Sequence, residues 1–241
     1  MKRMPAKKHK FDGQTDSVEK NINASQGYFN PVLLLLYDFV VYRIVSRFIW
    51  GCPNEVLINR YRYFARRQHL EVGVGTGYLI DKFNPKYISL DFMDLSISCL
   101  DKSSKRLKRY LPNVIRHNVL EAPIEEDKRY DSIGINYVLH CVDGDYKEKG
   151  VVFGNLKKLL KDRGVIFGSA VLQTTQSYGI AILLMKILNK IGVFNSANDQ
   201  YEDLERALKN HFKYVSIDIS SSVALFAVSD DEQPLEAILQ N

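Results

Sequence analysis

The sequence has few cysteines, no long apolar run and no strong excess of either charge. Its three cysteines in 241 residues are odd in number, lie far apart and match no metal-ligand spacing; they are Cys52, Cys99 and Cys141. They therefore indicate reduced thiols in a cytoplasmic protein, not a disulfide framework. The formal net charge of +5 is too small to require a nucleic-acid partner, and none is expected.

The chain also lacks a segment that would cross a membrane. Its most apolar stretch, PVLLLLYDFVVY at residues 31–42, is too short to span a bilayer and contains Asp38. The basic N-terminus MKRMPAKKHK is not followed directly by an apolar run, so it does not match a secretory signal. We expect residues 1–26 to form a disordered tail. Hydrophobic residues make up 46% and charged residues 25% of the chain, as in an ordinary soluble globular protein.

Strand and helix patterns divide the rest of the chain into two parts. Residues 27–67 predict a helical N-terminal cap, with two helices broken near Pro53, which favours a helix start. In residues 68–241, strands alternate with helices, which predicts a parallel sheet covered on both faces. The last two strands are separated only by two serines and must form an antiparallel hairpin. Local signals also predict a turn at KDRG (161–164), Ser96 as the N-cap of the helix after the second strand, and Asn198 or Asp199 as the N-cap of the last helix. An apolar helical insertion at residues 173–198 is expected to form a lid.

The stretch HLEVGVGTGYLID places Gly73, Gly75 and Gly77 between a predicted strand and a predicted helix. Such a turn brings backbone close to a ligand and aims helix N–H groups at it. No lysine follows Gly77, which excludes a phosphate-binding P-loop, and Tyr78 stands where a dinucleotide fingerprint needs glycine. Glu71 at the strand end would repel a pyrophosphate but suits a ligand that carries an ammonium group.

This stretch resembles the first motif of class I S-adenosylmethionine-dependent methyltransferases, and the resemblance extends over roughly residues 68 to 229. Four later segments follow at the spacing of that family: DLSISCLDKSSKRL (94–107), RHNVLEAP (116–123), YDSIGINYVLHCV (130–142) and LKKLLKDRGVIFGSAVL (156–172). The resemblance implies an α/β, Rossmann-like sheet of seven mostly parallel strands with an antiparallel last strand. Helices would cover both faces of this sheet, and a helical N-terminal cap would precede it in the chain.

The resemblance also implies S-adenosylmethionine as the cofactor, S-adenosylhomocysteine as its product, and a set of binding residues. Asp94 would bind the ribose hydroxyls, and its separation from Gly77 is near the spacing expected of an acid on a ribose; Asp91 is the alternative. Asn118, where the family usually has Asp, would contact adenine or would simply form a turn. The other residues that we predict to contact the cofactor are Glu71, Gly73, Gly75, Thr76, Gly77, Leu95, Val119 and Asn136.

His140 follows the predicted fourth strand and is the candidate general base, because the unperturbed pKa of histidine lies near neutral pH. A structural histidine is the alternative. The strand end NYVL lacks the two prolines of enzymes that methylate amino groups of nucleic-acid bases. Cys141 lacks the proline that commonly accompanies a cytosine-methylating cysteine, and GSAVL lacks the Asp-Asn pair of metal-dependent enzymes. We therefore predict no metal.

With these acceptor classes excluded, we expect a small-molecule acceptor, enclosed by the predicted cap and lid. Both segments are rich in the apolar and aromatic side chains that line ligand pockets, which favours an apolar or aromatic acceptor. These residues are Tyr28, Phe29, Tyr37, Phe39, Tyr42, Phe48, Trp50, Tyr178, Met185 and Phe194. Two alternatives stay open: an RNA or protein methyltransferase, and a cofactor-binding partner protein without turnover.

Overall fold

A computed structural model describes residues 38–86, 88–123, 128–174 and 176–235. The predicted tail at residues 1–26 and the first part of the predicted cap, 27–37, lie outside this part of the chain. The predicted disorder of the tail therefore stays a prediction.

The described residues contain a seven-stranded sheet in the order β3-β2-β1-β4-β5-β7-β6. All neighbouring pairs are parallel except those that involve β7, which runs antiparallel to both β5 and β6. The predicted fold class is therefore confirmed. The strands are β1 (Gln68–Val72), β2 (Ser89–Asp94), β3 (Asn113–Arg116), β4 (Tyr130–Asn136), β5 (Leu160–Val171), β6 (Tyr214–Ser220) and β7 (Val223–Ser229).

In the part of the chain that the structure describes, the α-helices and one π-helix lie between the strands and before the first of them, and three short 3₁₀ helices cover Lys108–Tyr110, Leu139–Cys141 and Gln233–Leu235. The α-helices and the π-helix are α1 (Asp38–Ile49, π-helical), α2 (Asn54–Phe64), α3 (Tyr78–Phe83), α4 (Ile97–Arg106), α5 (Tyr146–Lys149), α6 (Val151–Lys157), α7 (Gly179–Lys190) and α8 (Tyr201–Lys209). Ser96 caps α4 as predicted, because its hydroxyl oxygen accepts a hydrogen bond from the Cys99 N–H at 3.3 Å.

Two local predictions were wrong. The segment Lys161–Gly164, expected as a turn before β5, lies inside that strand as an irregularity: Tyr130 pairs with Leu160, and Ser132 already pairs with Val165. Neither Asn198 nor Asp199 caps α8, whose first turn follows Gln200 without a side-chain cap. The Asp199 side chain is bonded to Lys149 instead.

A hydrophobic core covers each face of the sheet. On one face, α2, α3 and α7 pack against the sheet, with Tyr61 and Phe167 fully buried. On the other face, α6 and α8 pack against it, with Phe153 and Phe226 fully buried. Each such side chain contributes about 1.5–3 kcal/mol of transfer free energy. Within the described ranges, no helix has the length and apolarity that crossing a membrane requires.

Candidate cofactor site

The three glycines of the loop after β1 all have positive φ angles, of 66°, 53° and 73° for Gly73, Gly75 and Gly77. The protein itself fills the space beside two of them. A Cβ on Gly73 would lie 2.2 Å from Val138 Cγ2, and one on Gly77 would lie 2.8 Å from Leu107 Cδ1. A Cβ on Gly75 would meet only the Gly73 carbonyl oxygen, at 4.0 Å. The loop therefore presents bare backbone to open space at Gly75, as a closely approaching ligand requires.

Asp94 stands at the end of β2, directly beside this loop. Its carboxylate accepts the Gly75 N–H at 3.2 Å and the Ser96 N–H at 2.9 Å. Burial raises the pKa of Asp94, and these backbone donors act in the opposite direction. Asp91, the alternative acid, has other partners: its carboxylate accepts a hydrogen bond from the Tyr130 hydroxyl at 2.7 Å and forms an ion pair with Lys128. Of the two acids, Asp94 is therefore the one next to the glycine loop.

Two arginines, which the sequence pattern did not single out, form hydrogen bonds to residues in and beside the loop. Arg106 Nη1 donates to the Thr76 carbonyl at 2.9 Å and to its hydroxyl at 3.1 Å, and Thr76 is fully buried. Arg116 Nε donates to the Leu95 carbonyl at 3.3 Å. Arg106 lies 30 residues from Thr76, so no local sequence signal indicates this contact. Thr76 supports the loop, and Leu95 adjoins Asp94.

The segment predicted to meet adenine forms a tight turn after β3. The Asn118 side-chain oxygen accepts the Leu120 N–H at 3.1 Å, and the Asn118 carbonyl accepts the Glu121 N–H at 2.9 Å. The turn alternative for Asn118 is therefore what the structure shows, and its adenine contact stays a prediction. The Val119 carbonyl is held by Asn155 Nδ2 at 3.1 Å.

Glu71 and Asn136 are joined by a residue of the N-terminal helices. Tyr61, on α2, donates its hydroxyl to Glu71 Oε1 at 2.5 Å, and Asn136 Nδ2 donates to the Tyr61 oxygen at 3.0 Å. The second Glu71 oxygen lies 3.2 Å from His69 Nε2. All four side chains are buried. The structure thus joins two predicted cofactor contacts through Tyr61, and sequence reasoning missed both Tyr61 and His69.

The surroundings of His140 argue against the predicted general-base role. The residue follows β4 in a short 3₁₀ turn, is 5% exposed and has its ring 4.1 Å from the Phe194 ring. Burial lowers its pKa from 6.5 to about 3, and the charge of Lys149 acts in the same direction. A group with so low a pKa is a weak base near neutral pH. The sequence could not indicate this, because Phe194 belongs to a distant segment that follows α7.

The depressed pKa of His140 predicts a pH-dependent stability. Because its folded-state pKa lies below the unfolded value, protonation favours unfolding, and the stabilisation present above pH 6.5 is lost as the pH falls from 6.5 towards 3. Between pH 7 and pH 5 the wild type should lose roughly 2 kcal/mol more unfolding free energy than His140→Phe, which keeps an aromatic ring against Phe194. Urea unfolding at both pH values measures this difference, and equal losses would contradict it.

A buried ion pair ties the segment after α7 to the helix that follows the β4 turn. Lys149 Nζ donates to Asp199 Oδ2 at 2.5 Å and to the Asn195 carbonyl at 3.3 Å, and both charged side chains are buried. Burial lowers the pKa of Lys149 and raises that of Asp199, while their pairing opposes both shifts. The Asn195 N–H also donates to the His140 carbonyl at 2.7 Å. These contacts hold the Phe194 ring over His140.

A cavity of about 570 Å³ opens beside the ends of β5 and β6. Its lining is largely polar and contains none of the glycine-loop residues: Gln173, Thr174, Gln176, Ala197, Asp199, Gln200, Tyr201, Glu202 and Ile219. It is therefore separate from the space above Gly75, and its lining differs from the apolar pocket that the sequence predicts for the acceptor.

Comparison with known proteins agrees with the overall fold. A family profile described as a methyltransferase domain matches residues 70–166. A solved structure described as a DhpI–SAH complex superposes with a TM-score of 0.61 at 14% identity, over 87% of this chain and 96% of that one.

Two similar proteins cover most of the chain. Methyltransferase ctvB from Aspergillus terreus is 36% identical over 211 residues, which are 84% of this chain and 92% of that protein. Demethylluteothin O-methyltransferase from Streptomyces thioluteus is 33% identical over 202 residues, with 81% of this chain and 86% of that protein covered. The similarity therefore extends well beyond residues 70–166. The chain belongs to the class I S-adenosylmethionine-dependent methyltransferases, and its reaction is methyl transfer from S-adenosylmethionine.

S-adenosylmethionine supplies a methyl group that its sulfonium already activates. The open backbone at Gly75, the acid at the end of β2 and the buried carboxylate of Glu71 fit a group that carries a ribose and an ammonium but no phosphate. The contribution of the protein to such a transfer is to position the cofactor and the acceptor and to exclude water.

Proposed function

We propose that this enzyme methylates a hydroxyl oxygen of a small apolar or aromatic molecule, and that the hydroxyl reaches the transferring methyl already ionised. The observation that carries the proposal is the state of His140. His140 is buried against Phe194, and its pKa is lowered to about 3. It is then a poor acceptor for a proton, which favours a nucleophile that ionises without it, such as the acidic hydroxyl of a phenol or an enol. The Streptomyces relative is an O-methyltransferase by name, which supports oxygen as the methylated atom.

An apolar acceptor is supported by the aromatic side chains that meet at this edge of the sheet. The predicted cap (27–67) and lid (173–198) contact each other there, with the Trp50 ring 5.9 Å from the Phe194 ring. Below them, the hydroxyls of Ser46 and Tyr137 lie 2.8 Å apart. We propose that these two segments enclose the acceptor. A cytoplasmic location is also part of the proposal, and the three free thiols support it.

The test uses a panel of phenols and enols, with release of S-adenosylhomocysteine as the readout. Two accepted molecules that differ in hydroxyl acidity are then compared in single-turnover rates against pH. The pH at which the single-turnover rate falls on the acid side should shift with the pKa of the acceptor. For each acceptor, this pH should be the same in the wild type and in His140→Phe. A fall in rate that stays at one pH for both acceptors and disappears in His140→Phe would restore His140 as the base.

The same assay separates the remaining alternatives. Methylation that requires added RNA and falls steeply with salt would favour a nucleic-acid methyltransferase, and transfer to an added protein would favour a protein methyltransferase. Cofactor binding without S-adenosylhomocysteine formation from any acceptor would favour a partner protein without turnover.

A further inference from the structure

Buried hydrogen bonds connect the first helices of the chain to the acid of the glycine motif, and their directions can be assigned. Ser132 Oγ accepts the Arg66 backbone N–H at 2.8 Å, so its own proton is available to His69 Nδ1 at 2.9 Å. His69 then carries its proton on Nε2 and donates it to Glu71 Oε2 at 3.2 Å.

The other oxygen of Glu71 is held in the same manner from α2. Because Asn136 Nδ2 donates to the Tyr61 oxygen, the Tyr61 hydroxyl proton points to Glu71 Oε1. The sheet makes room for the carboxylate at Gly134, the β4 residue paired with Glu71, where a Cβ would lie 2.5 Å from Oε2. Each carboxylate oxygen thus receives one hydrogen bond, which sets its orientation.

These hydrogen bonds leave the charge of Glu71 without a cationic partner. In the assigned tautomer both donors are neutral, and among the described residues no lysine or arginine forms an ion pair with Glu71, which is 4% exposed. A buried charge without a counter-charge is costly. Each oxygen keeps a further lone-pair site, so the arrangement suits a ligand cation.

We propose that Tyr61 and His69 are positioning residues, which orient the Glu71 carboxylate towards the ammonium group of the cofactor. This inference rests on the proposed cofactor contact of Glu71. Because Tyr61 belongs to α2, packing of that helix on the sheet completes the part of the site that recognises the amino-acid portion of the cofactor. The fully buried Tyr61 ring packs edge-on against Phe167 at 5.1 Å and stacks on Phe83 at 5.7 Å. Tyr61→Phe therefore removes the hydroxyl and keeps the packing.

The experiment compares two ligands by calorimetry. S-adenosylhomocysteine carries the ammonium, whereas 5′-methylthioadenosine keeps the adenine, the ribose and the sulfur but lacks the amino-acid portion. Tyr61→Phe should weaken S-adenosylhomocysteine binding about tenfold and change 5′-methylthioadenosine binding less than twofold. Gly134→Ala, which displaces the carboxylate without touching Tyr61, should have the same selective effect.

Tyr130→Phe is the matched control, since Tyr130 is also buried and its hydroxyl also donates to a carboxylate, that of Asp91. It should leave the ratio of the two affinities unchanged. Equal weakening of both ligands by Tyr61→Phe, or no weakening of either, would overturn the positioning role. If the wild type bound neither ligand, the cofactor assignment itself would fail instead.

Discussion

Gly75→Val should abolish binding of S-adenosylhomocysteine while the protein stays folded. The φ angle of 53° costs a β-branched residue of the order of 1–2 kcal/mol, which an ordinary domain survives. Apart from its two chain neighbours, the new Cβ meets no protein atom closer than 4.0 Å, and the side chain extends into the space proposed for the ligand. Affinity should therefore fall by more than about a hundredfold. Calorimetric titration and circular dichroism on the same sample measure binding and folding together.

Gly192→Val is the matched control for this substitution. Gly192 follows α7 and has a φ angle of 75°, and a Cβ at this position would have no neighbouring atom within 4 Å. The variant should show a similar loss of stability with cofactor affinity retained. Unimpaired binding by Gly75→Val would show that the loop does not approach the ligand. Equal losses of binding in both variants would show that backbone strain, and not a collision with the ligand, causes the loss.

Asp94→Ala should weaken S-adenosylhomocysteine binding about ten- to a hundredfold, equivalent to about 1.5–3 kcal/mol, the usual worth of a hydrogen bond to a charged group. Two effects contribute to this loss. The proposed ribose contact disappears, and the Gly75 N–H loses the carboxylate that holds it at 3.2 Å. Calorimetry with the same ligand measures the change in affinity.

Asp91→Ala provides the comparison from the same strand. Asp91 is 5% exposed and bonded to Tyr130 and Lys128, so its loss should lower the free energy of unfolding by about 1–3 kcal/mol. The affinity of the folded protein should barely change. If Asp91→Ala lost affinity and Asp94→Ala kept it, the assignment of the ribose acid would be reversed.

Local patterns were sufficient for most of the framework. Alternating strand and helix periods, and the two-serine turn at the end, predict a mostly parallel sheet with one antiparallel strand, and the structure has that sheet. Ser96 caps α4 as predicted because a cap depends on residues that are close neighbours in the chain. The two errors, at Lys161–Gly164 and at Asp199, have a tertiary cause. Leu160 and Val165, on either side of the first segment, both pair with β4, and a buried lysine binds the second.

By itself, the sequence determined the glycine loop and the acid placed beside it. The requirement for positive φ at Gly73, Gly75 and Gly77 is a property of the backbone, and the separation of Gly77 from Asp94 follows from one helix and one strand. Only the tertiary structure decided what surrounds Glu71 and His140. Tyr61 reaches Glu71 from a preceding helix, and Phe194 covers His140 from a segment far along the chain. Burial and the hydrogen bonds of a buried acid depend on such distant contacts, which no local spacing records.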